Sequence, residues 1–279
     1  MRKLASILPV AALAAVLISL PVMGTGCQKL QARDQLNKGV TAFKNAQYPE
    51  SVEHFKTAVE LDPNFPTARL YLAMAYLQQY IPGAESEENN NMAKAAYDQF
   101  SEVLKQDPKN TLAIQSIASL YLYQKKWTEA REWYQRLTSA DPNSTVGYYS
   151  LGFIAWSEWY PAYGAARAGL GMKLEDPGPI KDKKVKEELK AKYGPVIDDG
   201  LKALDKALDI DKEYDDAMAY ENLLIRERAY LADNRDDFDA QAKVAQGWFD
   251  KALATIKIKA DRKAKKTGGG IVAGDDSTK

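Results

Sequence analysis

Between residues 32 and 256 apolar side chains recur at helical spacing, in paired runs whose second member often closes on Asp-Pro. The pattern is clearest in LNKGVTAFKNAQYPESVEHFKTAVELDP (36–63) and IQSIASLYLYQKKWTEAREWYQRLTSADP (114–142). Each opens with a helical stretch holding a small residue, Gly39 or Ala118. Each then passes an aromatic at a turn, Tyr48 or Trp127, and a small residue, Ser51 or Ala130. A buried-type aromatic follows, Phe55 or Tyr134, and the stretch ends at Asp-Pro. Apolar positions three and four apart predict helices. Small residues let two antiparallel helices approach, aromatics fill the space between pairs, and proline stops the second helix.

The same closing appears in AAYDQFSEVLKQDP (95–108), whose opening helix is ARLYLAMAYLQQY (68–80), with Ala73 and Tyr76 in the matching places. A fourth opening, TVGYYSLGFIAW (145–156), carries Leu151 and Gly152 and finds its partner at DDGLKALDKALDIDK (198–212). A fifth, YDDAMAYENLLIRERAYLA (214–232), is completed by AKVAQGWFDKALATI (242–256), with Asn222 where a small residue is expected and no closing Asp-Pro. This grammar, at a period near 34 residues in the first and third repeats, resembles the tetratricopeptide repeat. The resemblance implies an all-α solenoid of about five antiparallel helix pairs over residues 32–256. Two insertions interrupt it. IPGAESEENNN (81–91) reads as a solvated loop. Residues 161–197 begin PAYGAARAGLGMKLEDPGP and continue into the charged, helix-forming IKDKKVKEELKAKYG. An insertion of that length is either functional or disordered.

The N-terminus has a different pattern. Met1–Lys3 is basic, Leu4–Met23 is almost wholly apolar, and Gly24, Thr25 and Gly26 are small. These are the three regions of a secretory signal, although about 20 apolar residues also suffice for an uncleaved anchor. The chain's one cysteine, Cys27, follows directly. That placement resembles the lipobox of bacterial lipoproteins, in which the signal is cut before the cysteine and the new N-terminus is acylated. Gly24 stands where that family usually has an aliphatic residue. The organisation expected is a signal peptide over 1–26, a lipidated N-terminus and short linker over 27–31, the repeat array, and a basic helix end with a flexible tail over 257–279.

Charge and chemistry narrow the function. Removing residues 1–26 takes away Arg2 and Lys3 and no acids, leaving 36 basic against 38 acidic residues. No excess of positive charge points to nucleic acid. One cysteine allows no internal disulfide and no thiolate metal site. The one histidine, His54, lies beside Phe55 on a helix and reads as a surface residue, not a catalytic base. TGGGIVAGDD (267–276) follows no strand and opens no helix, so it cradles no phosphate. The acidic pairs Asp198-Asp199, Asp215-Asp216 and Asp236-Asp237 read as helix starts or loops, where the helix dipole favours carboxylates. The basic run KIKADRKAKK (257–266) reads as a solvated helix end, with anionic lipid headgroups as the alternative contact. Neither an enzyme nor a cofactor or metal is expected.

What remains is a surface. In the resembled family the first helix of each pair lines a concave groove. Carried onto this chain, that implies Leu36, Val40, Phe43, Leu70, Met74 and Leu77, then Gln115, Ser119, Leu122 and Tyr123, then Tyr149, Phe153 and Trp156. Some members clamp C-terminal carboxylates with lysine and asparagine here, but Leu36 and Val40 occupy those places. An apolar and aromatic groove suits an amphipathic helix or an extended apolar segment of a protein partner. YYSLGFIAWSEWYPAY (148–163) has seven aromatics in 16 residues, some for packing the following insertion and some as anchors for a partner. The functional expectation is a non-catalytic interaction scaffold, a lipid-anchored protein of the bacterial envelope serving outer-membrane or envelope-complex assembly. The alternatives are a soluble periplasmic adaptor for secretion or cell-wall machinery and, third, an enzyme with a catalytic group in 161–197.

Overall fold

The computed structural model describes residues 22–173, 176 and 178–268. The expected leader up to residue 21 and the tail from 269 onward lie outside them. Among the described residues there are ten α-helices and no strand: α1 Val22–Lys44, α2 Tyr48–Leu61, α3 Pro66–Gln79, α4 Glu87–Gln106, α5 Thr111–Tyr123, α6 Trp127–Ala140, α7 Thr145–Gly169, α8 Lys183–Ile210, α9 Asp215–Arg228 and α10 Arg235–Gly268. They form five consecutive pairs, divided between two compact units, Met1–Ala113 and Ile114–Lys279.

In the first unit, α1 packs on α2, α2 on α3, and α3 on α4. Its core is Val52, Phe55, Leu72 and Ala75, with Leu36, Val40, Phe43 and Tyr71 partly buried against it. Gly39 is required here: a Cβ at that position would come within 2.5 Å of the Phe55 ring. His54 is a helix residue hydrogen-bonded to Gln35 Oε1 at 2.8 Å, joining α2 to α1.

The second unit holds the larger core. Trp159, Tyr163, Ile180, Ile197 and Leu204 are buried with Met218, Leu224 and Tyr230. Gly152 lies against Leu204, and Gly200 against Ala155, so both glycines of the α7–α8 crossing sit where a side chain would overlap its neighbour. Arg131 of α6 pairs with Glu158 of α7, and the Ser119 and Tyr134 hydroxyls meet at 3.1 Å between α5 and α6.

Several sequence expectations change. Residues 161–197 are mostly helix: they finish α7 and open α8, leaving only 170–182 between the two. The charged stretch consists largely of good helix formers, and Asp182 caps it by accepting from the Val185 N–H at 2.9 Å. Because α8 begins at Lys183, Asp198-Asp199 is in mid-helix and not at a helix start, whereas Asp215-Asp216 and Asp236-Asp237 do occupy first turns. The loop expected over 81–91 is shorter, since Ser86 caps α4 and the last five residues are helical. Asn89, buried, binds the Ile81 and Ala84 carbonyls through Nδ2 and accepts from the Ile81 N–H, closing that loop. Residues 27–31, expected as a linker, continue α1. The basic run 257–266 is helical, and within it Lys259 and Arg262 pair with Asp215 and Glu213.

Candidate functional site: an aromatic face on α7 and α9

Residues 149, 153, 156 and 160 follow one another at helical spacing along α7, so their side chains line one stripe. α9 faces that stripe with Tyr220 and Glu227, also one face apart by two turns. Tyr220 meets three rings edge-on: Tyr149 at 5.6 Å, Phe153 at 5.3 Å and Trp156 at 5.5 Å between centroids. Trp156 stacks on Tyr160 at 5.0 Å, and Trp127 at the start of α6 reaches Phe153 at 6.5 Å. Such edge and offset contacts are the geometries that ring quadrupoles favour. The Trp156 indole N–H donates to Glu227 Oε1 at 3.2 Å. Glu227 Oε2 is buried without a partner, and burial pushes this carboxyl up to about 7. Burial likewise raises Tyr214, which packs on Tyr149 at 5.1 Å, to about 12.

The seven aromatics of 148–163 therefore divide. Trp159 and Tyr163 are core; Tyr148, Tyr149, Phe153 and Trp156 are half-buried; Tyr160 is 43% exposed. Next to the exposed end, a depression of about 370 Å³ is lined by Trp127, Glu158, Pro161 and Tyr193 among others. Pro161 has no N–H, so it leaves the Ser157 carbonyl without its helical donor beside that depression.

The expected groove residues all prove half-buried except Tyr123, which is 49% exposed. Leu36, Val40 and Phe43 come together with Tyr71 over the first unit's core, while Leu70, Met74 and Leu77 share α3. Gln115, Ser119 and Leu122 lie along α5, with Ser119 engaged by Tyr134. Phe43 joins a smaller ring chain with Tyr48, Tyr71 and Phe55, whereas Tyr149, Phe153 and Trp156 join the larger cluster that reaches exposed Tyr160. Sequence reasoning missed the residues that complete it, Tyr220 and Glu227. Their signal was present: AYENLLIRER places Tyr220, Leu224 and Glu227 on one face, and an acid within an apolar face is unusual unless it has a partner. Cys27 is an exposed free thiol on α1. Among the described residues no helix is long and apolar enough to cross a membrane, and no group of three or more His, Cys, Asp or Glu is placed to hold a metal ion.

Comparison with known proteins bears on the fold. The family description "TPR repeat" matches residues 42–79, and "Tetratricopeptide repeat" matches residues 90–151. Among solved structures, a crystal structure of MamA covers 83% of this chain and 94% of its own at 14% identity, with a TM-score of 0.57. MamA 41-end from Desulfovibrio magneticus RS-1 covers 81% and 96% at 17% identity, with a TM-score of 0.54. In sequence, 192 residues are 28% identical to a probable UDP-N-acetylglucosamine–peptide N-acetylglucosaminyltransferase, SPINDLY, of Hordeum vulgare. That match covers 69% of this chain but spans only 17% of the barley protein. The fold is thus all-α and tetratricopeptide-like, built of stacked helix pairs.

Proposed function

We propose that this chain is a non-catalytic protein-binding scaffold, carried in a bacterial envelope by an acylated Cys27, whose partner docks on the aromatic face of α7 and α9. The observation that carries the reading is the ring cluster ending in Tyr160: four aromatics on one stripe of α7, one exposed and three half-buried. Tyrosine and tryptophan dominate protein-interface hot spots. The tetratricopeptide-like fold supports a binding role, because its helix pairs present long surfaces to partners.

The anchor has its own geometry. The first buried side chain after Cys27 is Ala32, five residues along the same helix. At 1.5 Å per residue, acyl chains on Cys27 lie about 8 Å from the first core contact. Such a protein would stand directly on the membrane, facing the periplasm from the outer membrane in preference to the inner one, where it would serve envelope-complex assembly.

The test is a photo-crosslinking amino acid placed at Tyr160 in living cells, with exposed Lys94 of α4 as the control position. A discrete adduct from position 160 alone supports the reading. Adducts of the same pattern from both positions, or none from either, reject the aromatic face as the docking surface.

A further inference from the structure

An adjacent side of α9 carries a second acid. Glu221 is only 2% exposed, and its Oε1 is buried with no hydrogen-bond partner. It lines a groove of about 370 Å³ formed with Asp205 and Leu201 of α8, Ile225 and Arg228 of α9, and Trp248 of α10. The other charges around this groove are committed elsewhere. Arg228 binds Asp198 at 3.3 Å and Gln241 at 2.9 Å, Lys202 binds Asp199 at 3.1 Å, and Lys251 lies 4.4 Å over the Trp248 ring. Asp205 and Glu221 are left facing each other, two like groups in one depression. An unpaired buried acceptor has lost its water without gaining a donor in return, so the groove holds an unmet demand for a donor.

We propose that the α8–α9–α10 groove receives the ammonium group of a lysine from a protein partner, seated between Glu221 and Asp205. The walls suit the whole side chain. Leu201 and Ile225 are buried apolar residues that can sheathe the methylene stem, and an ammonium supplies three donors to two carboxyls. Among the described residues no third His, Cys, Asp or Glu joins these two to hold a metal ion. This site shares no lining residue with the aromatic face, which occupies an adjacent side of the same helix, so either can fail alone.

The binding step moves a proton. Burial first, and then the charge of Asp205, push the Glu221 carboxyl up to about 8, against a smaller lowering by Arg228. At neutral pH it is therefore mostly protonated. An incoming ammonium replaces that proton: the acid O–H ionises, its proton leaves to solvent, and a carboxylate–ammonium pair remains. Binding at pH 7 thus releases up to one proton.

The experiment uses the full folded chain with carboxyl-¹³C glutamate and the probe Nα-acetyl-lysine N-methylamide, with the norleucine analogue and ethanolamine as controls. The lysine probe is expected to lower the Glu221 titration midpoint by at least one unit, and neither control to do so. Glu227, which is outside this groove and bonded to Trp156, is expected to stay where it is. An unmoved Glu221 at tens of millimolar probe overturns the proposal. So does an equal shift with norleucine, with ethanolamine, or at Glu227. Glu221→Gln, a neutral shape match, is expected to weaken proton-release binding at least tenfold. Should that variant unfold, Asp205→Asn at the groove's edge provides the same reading, and unchanged binding in a folded variant overturns the site.

Discussion

Trp156 and Glu227 are joined by a hydrogen bond from an indole to a buried carboxyl, 3.2 Å long, that ties α7 to α9. Burial dominates the chemistry of this pair. It holds the Glu227 carboxyl up to about 7, with the Trp156 bond pulling slightly the other way. In the unfolded chain the group titrates near 4.5, so between these values the folded state binds more protons. Its contribution to stability is complete below about pH 4.5 and is lost as pH rises through 7. The rise corresponds to about 3 kcal/mol. Glu227→Gln is expected to match the wild type in urea unfolding at pH 4.5 and to exceed it by up to that amount at pH 9. Parallel pH profiles for the two proteins would show that Glu227 is not desolvated.

Gly152 and Leu204 set the spacing of the α7–α8 crossing. A leucine at 152 must push the helices apart, and overpacking typically costs about 1–3 kcal/mol. Gly152→Leu is expected to lower the melting temperature by several degrees. Replacing exposed Lys44 by alanine is expected to leave it within a degree or two, as surface changes usually stay within about 0.5 kcal/mol. Equal melting of the two variants would deny the close approach.

The helix pairs were readable from sequence because the residues that make them act locally. Gly39 and Gly152 announce close helix contacts, and both are found there. What escaped reading depends on partners distant in sequence. The charged run IKDKKVKEELKAKYG reads as helical, but its continuity with DDGLKALDKALDIDK through Pro195 was not legible, because that continuity depends on the Asp182 cap and on a core that accepts Ile197. Asn222, where a small residue was expected, is buried with Oδ1 unpaired, and no local rule forecasts that. The aromatic stripe on α7 was legible, but its completion by Tyr220 and Glu227 needed the neighbouring helix. Which rings are core and which are surface also depends on the extension of α7 beyond Pro161.

Tyr160 and Trp159 are sequence neighbours with opposite roles. Trp159→Ala removes a wholly buried ring and is expected to cost about 3–5 kcal/mol of stability. Tyr160→Ala is expected to leave the melting curve unchanged while reducing partner affinity roughly thirtyfold, the effect of losing about 2 kcal/mol at a hot spot. Calorimetry of both variants checks the first half, and binding to the crosslinked partner checks the second. A large melting loss in Tyr160→Ala would make that ring structural.

Cys27→Ser separates the anchor from the scaffold. The variant is expected to leave the membrane fraction or to retain its leader, with the helical signal in circular dichroism unchanged. Mass spectrometry of the wild-type N-terminal peptide gives the direct answer, since an unmodified Cys27 thiol removes the anchor.

The closing turns carry a consequence of their own. After α2, α4 and α6, an aspartate accepts from the backbone N–H two residues on: Asp62 from Asn64, Asp107 from Lys109 and Asp141 from Asn143, at 3.0–3.3 Å. After α8, Asp211 does the same for Glu213 at 2.9 Å, although Lys212 stands where the other three have proline. The stop signal is therefore written in the aspartate and read within three residues, with no help from the rest of the molecule. A chain punctuated in this way can gain or lose a helix pair without rewriting its neighbours. It can also begin to fold at any pair, since closing a loop of a few residues takes well under a microsecond.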